Sequence, residues 1–190
     1  VLSYDLNSFE MKILKIQPIS QYNPEEYICE RLWAAASDGT KVPISIARRK
    51  DATGPIPTVL YAYGSYGYSY PASFRSAWVA LLNRGFAIAI AHIRGGSDMG
   101  REWYDNGKLF KKKNSFTDFI SCADFLVDSG YSYREGLVIT GGSAGGLLMG
   151  AVCNQRPDLA QACIAQVPFV DVINTMLDPD LPLTVIEYEE

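Results

Sequence analysis

The sequence predicts an α/β fold, a largely parallel sheet with helices against both faces. Three observations carry that prediction. Apolar and β-branched runs at 58–63, 86–91, 137–140 and 162–167 alternate with segments of helical periodicity, as strand–helix–strand crossovers do. Ahead of them, Asp38-Gly39 joins two more strand-like runs, 30–36 and 42–47, into a hairpin. The run 137–140 then meets a helical run through Gly141-Gly142-Ser143-Ala144-Gly145, a turn built of small residues around one hydroxyl.

Taken in order, two short strand-like runs within 1–16 flank Asn7-Ser8, and Gln17-Pro18 and Asn23-Pro24 interrupt them. They read as a small hairpin and a linker. After the predicted hairpin, Pro55 and Pro57 mark a loop, and 58–63 (TVLYAY) has the composition of a strand covered on both faces. A loop rich in glycine and tyrosine occupies 64–70. Across 74–84, Trp78, Leu81 and Leu82 have helical spacing, and Gly85 is placed to close the helix. The run 86–91 (FAIAIA) is a second buried strand. Residues 92–114 are too many for a featureless connection, so they are expected to hold a short helix or line a site. Over 115–129, Phe116, Phe119, Ile120, Ala123 and Leu126 or Val127 share one helix face, which Gly130 ends. A helix over 146–154 stops before Arg156-Pro157, and 162–167 is expected to be another buried strand.

Composition narrows the function classes. A chain of 190 residues with 48% hydrophobic content can fill one domain's core. A net charge of −4 gives no electrostatic case for nucleic acid, and Lys111-Lys112-Lys113 is expected to be a solvated loop. No apolar run reaches the roughly 18 residues of a membrane helix, and the first residues lack the pattern of a signal peptide. Cys29, Cys122, Cys153 and Cys163 show no C-x-x-C pairing, and the chain has 1 histidine. No metal and no cofactor are expected; four reduced thiols in a cytoplasmic protein is the simplest account.

The chemistry centres on Ser143. In a G-x-S-x-G elbow, small neighbours let the backbone turn sharply enough to expose the hydroxyl above the sheet. The competing reading, a glycine turn that cradles an anion, lacks support: no G-K-[ST] follows and no G-x-G-x-x-G is present. An elbow serine needs a base within hydrogen-bond reach, usually a histidine oriented by a carboxylate, in the chain order serine, acid, histidine. No histidine follows Ser143. His92 stands at the end of the preceding strand and is read as a structural residue. Asp171 has the position of an acid but reads better as a loop aspartate after Pro168. For the oxyanion hole, the Ala144 backbone N–H at the helix N-terminus is one expected donor. The Tyr63 hydroxyl is a candidate for the second; an aromatic packed at a sheet end is the alternative, and the residues alone leave both open.

Several motifs together resemble one family. GGSAGG (141–146), NQRP (154–157), IAQVPFVDV (164–172), YAYGSYG (61–67), HIRGG (92–96), REWYDNGK (101–108) and KKKN (111–114) are similar to the catalytic domain of the prolyl oligopeptidase family of serine peptidases, within it the oligopeptidase B branch. The resemblance covers 30–190. It implies an α/β-hydrolase fold, incomplete and lacking its last strands, preceded by the end of a β-propeller: residues 1–20 as the propeller end and linker, 21–190 as the N-terminal part of the catalytic domain. It also implies Ser143 as nucleophile and Tyr63 with Ala144 as the oxyanion hole. The family's aspartate and histidine would lie beyond Glu190. The chain, which starts at Val1 without a methionine, would be an internal fragment without activity of its own.

Glu187-Tyr188-Glu189-Glu190 reads, taken alone, as a solvated acidic run. In an extended segment Glu187 and Glu189 would project to one face and hold a guanidinium or ammonium group by charge-assisted hydrogen bonds. The resemblance implies that this segment selects basic residues before the cleaved bond, Glu187 as the chief contact and Glu189 as its helper. The expected partners are therefore short basic peptides and the rest of the same polypeptide. Proline or ester specificity on the same scaffold is the alternative within enzymes, and a non-catalytic binding module the alternative outside them.

Overall fold

The computed structural model describes residues 1–20, 22–182 and 185–190. A two-stranded antiparallel sheet, β1 (Leu2–Tyr4) with β2 (Met11–Ile13), stands apart at the start, and both strands are exposed. The remaining strands form one six-stranded mixed sheet: β3 (Tyr27–Ala35), β4 (Lys41–Arg49), β5 (Thr58–Tyr61), β6 (Ala87–Ala91), β7 (Leu137–Gly142) and β8 (Ala162–Gln166). Their spatial order is β3-β4-β6-β5-β7-β8. The pairs β3–β4 and β4–β6 are antiparallel, and β6, β5, β7 and β8 run parallel. Helices connect the successive parallel strands: α1 (Ser76–Leu82) from β5 to β6, α3 (Lys113–Asp128) from β6 to β7 and α4 (Ala144–Gln155) from β7 to β8.

Period-two alternation sorts the sheet into two faces. On one, Val42, Ile44, Ile46, Leu60, Ala89 and Ile139 meet Phe119 and Leu126 of α3 and Leu148 and Met149 of α4 in the main core. On the other, Ser45, Ala47, Ile88 and Ile90 face Trp78, Val79 and Leu82 of α1 across a cavity of about 370 Å³. The α3 face adds Cys122 to the residues its periodicity predicts, and burial pushes that thiol well up from its ordinary pKa.

Two expectations need correction. The strand at 162–167 was expected to be buried; every residue of β8 is exposed, because β8 is the edge of the sheet with β7 as its one neighbour among the described residues. Lys112 is not solvated: its Nζ donates to the Gly64 carbonyl at 2.9 Å, and to the Ser65 hydroxyl. The segment 92–114 does hold a short helix, α2 (Arg101–Asp105), and a 3-10 turn, Leu109–Lys111.

One ion pair locks that segment to α3. Arg94, 6% exposed, and Asp118, 0% exposed, are joined by a two-pronged bond, Nε to Oδ2 at 2.8 Å and an Nη to Oδ1 at 2.6 Å. The Arg94 backbone N–H donates to the same carboxylate at 3.0 Å. The other Nη reaches Asp38 at 2.6 Å, and this carboxyl, gripped first by the Thr40 N–H and then by Arg94, is held down to about 2. Asp118→Ala strands a buried guanidinium and is expected to cost about 3–5 kcal/mol. Asp38→Ala, at a half-exposed site, is expected to cost no more than about 1 kcal/mol. Urea midpoints of the two variants measure the contrast.

Candidate active site

Ser143 joins β7 to α4 with φ 56° and ψ −117°, outside the regions that L-residues ordinarily occupy. The elbow survives because every neighbour is committed. The Ser143 N–H donates to the Gln166 carbonyl at 3.0 Å, and the Ser143 carbonyl accepts from Gly146 at 2.8 Å and from Phe169 at 3.1 Å. The glycines are needed for room: a Cβ on Gly141 would lie 2.3 Å from the Gly145 carbonyl oxygen, and one on Gly145 2.9 Å from that of Ala62. Just beyond β8, Val167 is also left-handed, at φ 38°, and carries the chain into Pro168 and Phe169. The result is an exposed serine on a rigid base.

Two donors converge on it. Ala144 opens α4, so its N–H is one of those a helix leaves without an internal partner, and the helix dipole adds partial positive charge there. Tyr63 extends from the end of β5, the strand beside β7. Burial is the main influence on its phenol and raises its pKa; the Ser143 hydroxyl facing it pulls the other way, and Glu187 and Glu190 add to the rise. A phenol so placed keeps its proton and acts as a donor. The two oxyanion candidates are thus both neighbours of Ser143.

Tyr63, Tyr66, Gly67 and Tyr68 line a cavity of about 400 Å³ next to the serine. Tyr63 meets the ring of Tyr68 edge-on at 5.7 Å and that of Tyr66 at 6.1 Å. Lys112 supports the loop from beneath through Gly64 and Ser65; burial lowers its pKa, while Glu190 and Glu187 oppose the shift.

The acidic segment is not extended. Residues Val185–Glu189 form a 3-10 turn, in which positions three apart eclipse each other, so Glu187 aligns with Glu190 and not with Glu189. The Tyr66 hydroxyl donates to Glu187 at 2.5 Å, and the Tyr66 N–H donates to the Glu190 side chain. Glu189 is exposed on another side. The second Glu190 oxygen is buried without a hydrogen-bond partner among the described residues, and desolvation raises that carboxyl's pKa. Tyr66, Lys112 and Glu190 were missed by sequence reasoning. The three-residue spacing of Glu187 and Glu190 was the one signal available.

No base for Ser143 stands among the described residues. Both ring nitrogens of His92 are engaged elsewhere, with Ser45 and with Asp98, and β6 and β7 are separated by β5. Asp171 is exposed and holds the Asn174 amide at 2.9 Å.

Against known proteins, residues 72–190 match the model of the prolyl oligopeptidase family. The chain is 50% identical to dipeptidyl aminopeptidase BI of Pseudoxanthomonas mexicana, over 99% of this chain and 27% of that protein. It is 42% identical to protease 2 of Moraxella lacunata, over 98% of this chain and 27% of the relative. Among solved structures, oligopeptidase B from Trypanosoma brucei with covalently bound antipain matches with a TM-score of 0.94 and 47% identity, over 100% of this chain and 27% of that one. The chain spans 27% of the length of each of these relatives.

The glycine requirement at the elbow is testable. Gly141→Ala forces the turn open against the Gly145 carbonyl, and a displacement near 1 Å is expected to slow fluorophosphonate labelling of Ser143 about 100-fold. Mass-spectrometric labelling rates check this.

Proposed function

We propose, from the premise that this chain belongs to the prolyl oligopeptidase family, that it carries the nucleophile of a serine peptidase cleaving short peptides after Arg or Lys. The observation that carries the reading is the convergence of an exposed hydroxyl, a protonated phenol and a free helix N–H at one elbow. Ser143 Oγ attacks the scissile carbonyl, whose oxygen takes up negative charge between the Tyr63 hydroxyl and the Ala144 N–H. Collapse of the tetrahedral intermediate expels the amine and leaves an acyl ester on Ser143, which water then hydrolyses.

The proton from Ser143 needs an acceptor, and the reading assigns it to a histidine and its carboxylate in polypeptide outside these residues. Support comes from the 27% coverage of the relatives and from the engagement of His92 elsewhere. The hairpin β1–β2 belongs, in this reading, to the end of a β-propeller that restricts entry to short peptides. A cytoplasmic location completes it, resting on four cysteines that are all free thiols.

Basic specificity rests on charge. Glu187 and Glu190 stand at the rim of the tyrosine cavity, each holding Tyr66 through its carboxylate. Glu187 is the proposed chief contact for the basic side chain. Glu189, which the family resemblance implies as its helper, keeps that role only if the turn rearranges when a substrate binds. A second reading, release of dipeptides from a free amino terminus, is favoured by the 50% identical relative named dipeptidyl aminopeptidase BI.

Chromogenic peptide amides ending in Arg, Lys or Pro, each with a free and a blocked amino terminus, test these readings on the full-length protein. Arg and Lys are expected to be cleaved with the amino terminus blocked; a requirement for a free terminus selects the second reading, and a Pro preference removes the role of Glu187. Tyr63→Phe is expected to lower kcat about 100- to 1,000-fold. Glu187→Gln is expected to lower kcat/KM for Arg substrates roughly 10- to 100-fold, the worth of one hydrogen bond to a charged group.

A further inference from the structure

Away from the elbow, another serine is hydrogen-bonded as a nucleophile would be. Ser45 lies in the middle of β4 with its Oγ 2.8 Å from Nε2 of His92. The other ring nitrogen, Nδ1, is 2.8 Å from Oδ1 of Asp98. With Asp98 accepting from Nδ1–H, the free electron pair of the imidazole sits on Nε2 and faces the Ser45 hydroxyl.

The ring has little freedom. His92 is 4% exposed; its N–H donates to the Pro43 carbonyl at 2.9 Å, and its carbonyl accepts from the Trp103 indole at 3.0 Å. Gly96 leaves space for the carboxylate, since a Cβ there would lie 2.7 Å from Asp98 Oδ2. Nucleophile, base and orienting acid are thus all within bonding distance, the geometry by which such triads are recognised irrespective of chain order.

The serine also has somewhere to receive a substrate. It lines the 370 Å³ cavity beneath α1, with Trp78, Val79, Ile88 and Ile90 as apolar walls. Arg31, directly opposite Ser45 in the β3–β4 register, lines the same cavity and has no carboxylate partner among the described residues. Three strand spacings, roughly 14 Å, separate β4 from β7 in the sheet, so this cavity is distinct from the one at Ser143.

We propose that Ser45, His92 and Asp98 form a second acyl-accepting site, for esters of small apolar acids, with the Arg31 guanidinium facing the developing oxyanion. The Ser45 O–H bond breaks as its proton passes to His92 Nε2, and a new bond forms from Oγ to the ester carbonyl carbon. The carbon–oxygen bond to the leaving group then breaks, and the departing alkoxide takes the proton from His92. Water repeats the sequence to release the acid and restore Ser45. The β4 amides are paired in the sheet ladders to β3 and β6, so no N–H pair comparable to that at Ser143 is on offer. Turnover at this site is accordingly slow.

The test treats the full-length protein with a small alkyl fluorophosphonate and maps the adducts by tandem mass spectrometry, where Ser45 and Ser143 fall on different peptides. Ser45 Oγ is expected to gain the phosphonyl group as fluoride leaves. His92→Asn is expected to slow that labelling about 100-fold or more, the loss of a general base, with Asp98→Asn as the milder second variant. In Ser143→Ala, hydrolysis of p-nitrophenyl butyrate is expected to persist and to disappear when Ser45→Ala is added. An unmodified Ser45 in wild-type protein under excess reagent overturns the proposal. So does labelling that is unchanged in both the His92 and Asp98 variants, with circular dichroism confirming their fold. The result stands or falls independently of what happens at Ser143.

Discussion

The backbone at residue 143 is the constraint around which the rest is arranged. A non-glycine residue in a sparsely populated conformation costs about 1–3 kcal/mol and persists only where its surroundings over-determine it. Here β7 delivers the chain, α4 takes it away, and the segment after β8 closes over the Ser143 carbonyl through the Phe169 N–H. Small residues keep the crossing possible, and the exposed hydroxyl is the product of that crowding.

The phenol beside the elbow depends on a longer chain of support. Tyr63 leaves β5 into a loop whose glycine carbonyl at 64 is gripped by the half-buried Lys112 ammonium. The neighbouring 92–98 segment is pinned to α3 by Arg94 and Asp118, and Gly67 donates to the Gly95 carbonyl at 2.9 Å. Polar groups with little access to water therefore hold an aromatic surface in place. Such groups fix a geometry more than they add net stability, because their desolvation offsets much of their attraction.

Legibility followed the range of the forces. Ser143 could be read because its signal is local: a β-branched run, five small residues and a helical run in succession. The faces of α3 and the strand runs were likewise written in periodicity. Lys112 was misjudged because its partners lie 47 and 48 residues away, at Ser65 and Gly64. β8 has the composition of an interior strand, and nothing in 162–167 encodes its place at the edge. The acidic segment failed on its period, two against three, and that choice determines which glutamates share a face. His92 was read as a structural residue; its partner Ser45 lies on another strand, and no short motif links the two.

Val167, just past β8, is left-handed as well. Branching at Cβ makes this conformation costly, and glycine would adopt it freely. Because the Phe169 N–H that grips the Ser143 carbonyl follows closely on this kink, relaxing it would loosen the hold on the elbow and let the hydroxyl at 143 swing away from its present direction.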